Sequence, residues 1–163
     1  MDHTSRAHGR WIIGIVFAAM LLLSIYPLAP SYRWYRPEWV LLLLIYWVLL
    51  MPYFIGPGWW WGVGLLQDVV TGSVLGQHAL GTVIVGYLCL LSYQRIRNYT
   101  LWQQACWVFV VVGIAAVIYQ WVNSLQGMHT VGLKFLWPAF ISALIWPLFV
   151  FGLDQLRRHY RIQ

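Results

Sequence analysis

Long apolar runs alternate with short polar breaks along this chain, and most runs are about as long as a membrane-spanning helix. Such a helix needs about 20 predominantly apolar residues, with a usual range of ~17–25. The first predicted span covers 11–28, ended by Pro27 and Pro30. A polar-aromatic connection, Arg33-Trp-Tyr-Arg-Pro-Glu38, leads to a second span over 39–55, closed by Gly56-Pro57-Gly58. Pro37 suits the first position of that helix, and Glu38 in its first turn complements the helix dipole.

The stretch from Gly58 to Tyr93 decides the count of spans. As one helix it would be about 54 Å long, well beyond a hydrocarbon core of ~30 Å. Gly72 and Gly76 mark the break, giving two short spans, 58–71 and 77–93, joined by Thr-Gly-Ser-Val-Leu-Gly. The fifth span covers 101–122, and the turn-forming Asn123-Ser-Leu-Gln-Gly127 follows it. The sixth covers 135–153 with Pro138 and Pro147 inside, which membrane helices tolerate because neighbours satisfy the freed backbone groups. The pattern predicts an all-α integral membrane protein, one domain over residues 1–163 forming a six-helix bundle.

Composition agrees. The chain is 61% apolar and only 9% charged, against a soluble norm of about 25% charged. Its 12 Trp and 10 Tyr are residues that enrich at membrane–water boundaries. Trp59-Trp60-Trp61 at the start of the third span reads as such a belt. The net charge of +6 does not indicate nucleic-acid binding, because the basic residues abut apolar runs as topology-setting charges do. Six spans with both termini in the cytoplasm put seven basic residues inside (Arg6, Arg10, Arg95, Arg97, Arg157, Arg158, Arg161) and three outside (Arg33, Arg36, Lys134). Merging spans three and four, with the N-terminus outside, gives the same seven against three; helix length favours six. The first run exceeds a signal-peptide core of ~7–15 residues and lacks a small-residue cleavage site, so it reads as a retained anchor.

Candidate chemistry is sparse. Asp68 is the only carboxylate between Glu38 and Asp154. A charge at the centre of a membrane helix costs about 2.5–3.5 kcal/mol on insertion scales and usually faces protein or a polar cavity. Two roles are open for it: satisfying a neighbour's donors, or binding a partner or ligand. His78 lies across the predicted hairpin and is placed to meet it. Gly14/Ala18, Gly58/Gly62, Gly72/Gly76 and Ala139/Ala143 have the four-residue spacing that lets helix backbones approach closely, either inside the bundle or against another membrane protein. The five histidines and two cysteines lack metal-ligand spacing, and no cofactor is expected. Ser73 and Thr71 have no base beside them, and there is no phosphate-cradling Gly-Lys-Ser/Thr loop. No catalytic site is expected.

Two stretches carry a family resemblance. Arg36-Pro-Glu-Trp-Val-Leu-Leu-Leu-Leu-Ile-Tyr-Trp47 and Gly64-Leu-Leu-Gln-Asp-Val-Val-Thr-Gly-Ser-Val-Leu-Gly-Gln-His-Ala-Leu80 resemble the signature segments of the rod shape-determining MreD family. Gln94-Arg-Ile-Arg-Asn-Tyr-Thr-Leu-Trp-Gln-Gln104 and Leu144-Ile-Trp-Pro147 are similar to its Gram-negative form. The resemblance implies a non-enzymatic subunit of the cell-elongation machinery in the bacterial inner membrane. Implied partners are an MreC-like membrane protein, an MreB-like filament, and the elongation glycosyltransferase and transpeptidase of peptidoglycan synthesis. It also implies a fold similar to the six-helix substrate-binding subunits of energy-coupling transporters, which is fold analogy only.

The expected function is thus a scaffold that docks an MreC-like partner. Arg36, Pro37, Glu38, Asp68, Gly72 and Gly76 are its candidate partner-binding or structural residues. Arg36 and Glu38 would hold the outer rim of span two, and Asp68 would fix the hairpin. A solute-binding transporter subunit is the alternative, but Gln67, Asp68, Gln77 and His78 are few polar groups for a cavity. An ion channel would need a chain of ionisable neighbours around Asp68.

Overall fold

The computed structural model describes residues 14–24, 36–52, 56–127 and 132–159. Within them lie six helices: α1 Gly14–Ser24, α2 Trp39–Leu50, α3 Pro57–Thr71, α4 Gln77–Ile96, α5 Leu101–Leu125 and α6 Trp137–His159. Among the described residues, α4, α5 and the stretch Leu133–Arg158 that carries α6 are long and apolar enough to cross a membrane. A 3-10 turn, Leu133–Leu136, leads into α6.

The centre of the bundle is α2. Its sequence Val-Leu-Leu-Leu-Leu-Ile-Tyr-Trp-Val-Leu is apolar on every side, and all ten residues from Val40 to Leu49 are buried. A helix apolar all round belongs in an interior. It packs against α4, α5 and α6, and Phe17 and Leu21 of α1 join the same core. Helices α3 to α6 follow one another as neighbours, α3 on α4, α4 on α5 and α5 on α6. Short connections enforce this order: Gly72–Gly76 between α3 and α4, and Arg97–Thr100 between α4 and α5.

Several helix ends differ from the sequence reading. The α2 helix starts at Trp39 with Glu38 as its N-cap, so Pro37 precedes the cap and is not the first helical residue. It ends at Leu50, while 53–55 lie outside the described residues. Pro57 opens α3 and does not close α2; its missing N–H costs nothing at a first helical position. Asn123, Ser124 and Leu125 continue α5, and the Ser124 hydroxyl donates back to the Trp121 carbonyl at 2.6 Å. The chain turns instead at Gln126 and Gly127, where Gly127 has φ of 75°. The first predicted span extends beyond the described residues at both ends.

Close packing uses glycines other than the spaced pairs. A Cβ on Gly64 would lie 2.4 Å from the Ala79 Cα, and one on Gly86 would lie 2.5 Å from the Trp60 ring. The α3–α4 crossing therefore depends on Gly64 and Gly86. Trp60 is wholly buried in it while Trp59 and Trp61 are exposed, so the three tryptophans do not form one interface belt. Gly14, Gly58 and Gly62 have open space where a Cβ would stand, among the described residues. Gly72 and Gly76 lie in the turn with φ of 66° and 97°, a backbone that favours glycine. They shape a turn and do not form a helix-packing pair.

Candidate functional site

The α3–α4 turn is built around the Asp68 side chain. Asp68 lies on the last turn of α3 and is 0% exposed. Its Oδ1 accepts from the Ser73 hydroxyl at 2.8 Å, the His78 backbone N–H at 2.9 Å and His78 Nδ1 at 2.8 Å. Its Oδ2 accepts from the Gly76 N–H at 2.8 Å and, more weakly, the Ala79 N–H at 3.4 Å.

The first N–H groups of a helix have no intrahelical partner, and a side chain at the N-cap usually supplies one. The N-cap of α4 is Gly76, which has no side chain to offer. Asp68, eight residues upstream on the neighbouring helix, fills that role. A carboxylate is well suited there because the N-terminal end of a helix carries partial positive charge. On the other side of the turn, Gly72 closes α3 with its N–H on the Asp68 carbonyl, and the Ser73 N–H reaches the same carbonyl at 3.1 Å.

His78 stands at the edge of this cap, and the contact expected between it and Asp68 forms. Both Asp68 oxygens already accept backbone N–H groups, so the fitting tautomer of His78 donates from Nδ1–H and leaves Nε2 for another partner. The His78 ring lies 4.6 Å from the Tyr119 ring of α5, which is seated directly over Gly81. Glu38 reaches the same region from α2: its side chain hydrogen-bonds Gln67 and interacts electrostatically with His78 and Arg36. Its backbone N–H donates to Ser142 Oγ of α6 at 2.9 Å. Arg36 donates to the Leu23 carbonyl of α1 at 2.9 Å.

One end of the bundle thus gathers Glu38, Gln67, Asp68, His78, Tyr119 and Ser142 from four helices and the entry to α2. The sequence singled out Glu38, Gln67, Asp68, Gln77 and His78. It gave no signal for Tyr119, one of ten tyrosines, or for Ser142 in an ordinary apolar run. Among the described residues, the Tyr119 hydroxyl and the side-chain oxygens of Gln67 and Gln77 are buried without a hydrogen-bond partner. No group of three or more His, Cys, Asp or Glu suited to a metal occurs among the described residues.

The arrangement is a polar clamp. Both carboxylate oxygens of Asp68 accept from donors in the turn and at the start of α4.

Comparison with known proteins fixes the family. Residues 5–156 match the family described as rod shape-determining protein MreD. This chain belongs to the MreD family. A relative from Haemophilus influenzae, named rod shape-determining protein MreD, is 31% identical over 150 residues, covering 90% of each chain. Membership in the MreD family implies a role in rod-shape determination. Both family-like stretches, 36–47 and 64–80, fall inside the matched region, and both contribute to the polar clamp. No solved structure matches the chain, so the likeness to energy-coupling transporter subunits finds no support in that comparison.

Proposed function

We propose that this chain is a non-enzymatic scaffold of the bacterial cell-elongation complex, docking an MreC-like membrane partner along the outer face of α3. Through that partner it would serve an MreB-like filament and the elongation glycosyltransferase and transpeptidase. The observation that carries the reading is the two-sidedness of α3. One side is fixed to α4 by Gly64 and Asp68. The other side presents Gly58 and Gly62 with open space above them among the described residues, continued by exposed Leu66 and Val69. Small residues on an outward helix face let a second backbone approach closely where no hydrophobic force drives association.

Gly62→Leu separates docking from folding, because Gly62 is exposed and a Cβ there meets nothing within 4 Å among the described residues. The expected result is a protein with unchanged thermal stability in detergent that no longer co-purifies with its MreC-like partner and does not restore rod shape. Full partner recovery by Gly62→Leu would move the interface elsewhere.

The scaffold is read as six inner-membrane crossings with both termini in the cytoplasm, supported by the basic residues at the ends of α4 and α6. In a background lacking Cys89 and Cys106, a cysteine at Ser124 should label from outside the cell and one at Asn98 should not. Labelling of Asn98 from outside would reverse the orientation.

A second reading has one observation in its favour. The unpartnered oxygens of Gln67, Gln77 and Tyr119 near Glu38 and His78 fit a small polar solute or ordered water, which commonly fills such gaps.

A further inference from the structure

The opposite end of the bundle holds a cavity that the clamp does not use. It encloses about 350 Å³ where α2, α4, α5 and α6 end together, within the ~300–1,000 Å³ typical of ligand sites. Arg97, at the C-cap of α4, and Arg157, on the last turns of α6, both line it. Among the described residues neither guanidinium is hydrogen-bonded or ion-paired to protein.

The one acidic group in the lining, Asp154, is already engaged: Tyr46 of the central helix donates its hydroxyl to Oδ1 at 2.7 Å. Two cations against one occupied carboxylate leave the cavity net positive. Its walls are also held in place. Gln104 donates to the Ile96 and Tyr99 carbonyls at 3.3 and 3.2 Å and accepts from the Trp146 indole at 3.3 Å. Leu50 and Val150 give the cavity an apolar side.

We propose that this cavity binds the phosphate of an anionic phospholipid headgroup, with Arg97 and Arg157 as its ligands and the apolar side receiving the start of an acyl chain. Arginine suits this task because its planar fork matches phosphate oxygens in pairs. Basic pockets between helices on the cytoplasmic side of a membrane are the common form of such sites. A free phosphate ion offers the same oxygens but has no use for Leu50 and Val150. The proposal is independent of how α3 docks a partner.

The test uses the full-length chain purified in detergent, with lipid retention followed by native mass spectrometry and thermal unfolding measured alongside. Phosphatidylglycerol, phosphatidylcholine and inorganic phosphate are the three probes. The wild-type chain should retain phosphatidylglycerol and be stabilised by it, with little response to the other two. A direct arginine–phosphate hydrogen bond contributes about fivefold or more to binding. Arg97→Gln/Arg157→Gln should therefore retain phosphatidylglycerol roughly 25-fold less, while its lipid-free unfolding temperature is unchanged. Arg95→Gln/Arg158→Gln removes equal charge from exposed positions outside this lining and should bind like wild type. Equal loss in both double variants would reduce the effect to general attraction and overturn the site. Equal stabilisation by inorganic phosphate would overturn the lipid as its source. A wild-type chain that retains no phosphatidylglycerol would also overturn the proposal and leave the cavity to an acidic segment of a protein partner.

Discussion

Asp68→Leu should destabilise the protein by about 4 kcal/mol or more, among the largest effects of any single substitution here. Leucine leaves the Gly76, His78 and Ala79 N–H groups at the start of α4 without an acceptor. Each buried donor left unpaired costs about 1–3 kcal/mol, and bonds to a charged acceptor stand at the upper end. Ser73 and His78 recover part of the loss, since their side chains already lie 3.0 Å apart. Asp68→Asn is not silent either. An asparagine keeps one acceptor oxygen, but its NH₂ must then face the donors that the other oxygen served. If the amide oxygen takes the Oδ1 place, Gly76 and Ala79 lose their acceptor; in the flipped state Ser73 and His78 do. A loss of about 2 kcal/mol is expected for Asn. Thermal or denaturant unfolding in detergent measures both variants. A leucine variant within ~1 kcal/mol of wild type would remove Asp68 from the structural account of the turn.

The sequence made this site legible for a physical reason. An isolated carboxylate in an apolar segment must be satisfied nearby, and an overlong stretch must break where glycines permit a turn. Those two constraints located Asp68, Gly72, Gly76 and His78 without any knowledge of the neighbouring helices. What stayed hidden depends on partners far along the chain. Tyr46 meets Asp154 across 108 positions, and Glu38 meets Ser142 across 104; no local pattern encodes either pairing. The tryptophan run shows the same limit. Trp59, Trp60 and Trp61 are chemically alike, and Trp60 alone lies on the buried face of α3, where its ring fills the notch at Gly86. Helix ends were displaced where caps and hydrogen bonds, not hydropathy, set the boundary, as at Glu38 and at Ser124.

Gly64 and Gly62 carry the second large prediction, because they are the same residue type two positions apart on α3 with opposite surroundings. A Cβ at Gly64 would stand 2.4 Å from both the Ala79 Cα and Thr82 Oγ1, and 2.7 Å from the Ala79 nitrogen. Two of those three atoms are backbone, so no rotamer change can relieve the contact and the helices must separate. Separation also stretches the Thr82 hydroxyl bond to the Trp60 carbonyl, now 2.9 Å, and the Asp68 bonds to Gly76 and His78 one helix turn further on. Overpacking commonly costs about 1–3 kcal/mol, and the added loss of hydrogen bonds puts Gly64→Ala at the top of that range or beyond. Gly62→Ala meets nothing within 4 Å among the described residues and should be neutral or stabilising by about 0.5 kcal/mol, since alanine favours a helix over glycine. Unfolding temperatures of the two variants, measured side by side in one detergent, isolate packing from helix propensity. Equal stability for Gly64→Ala and Gly62→Ala would mean that the close α3–α4 crossing does not hold the hairpin together.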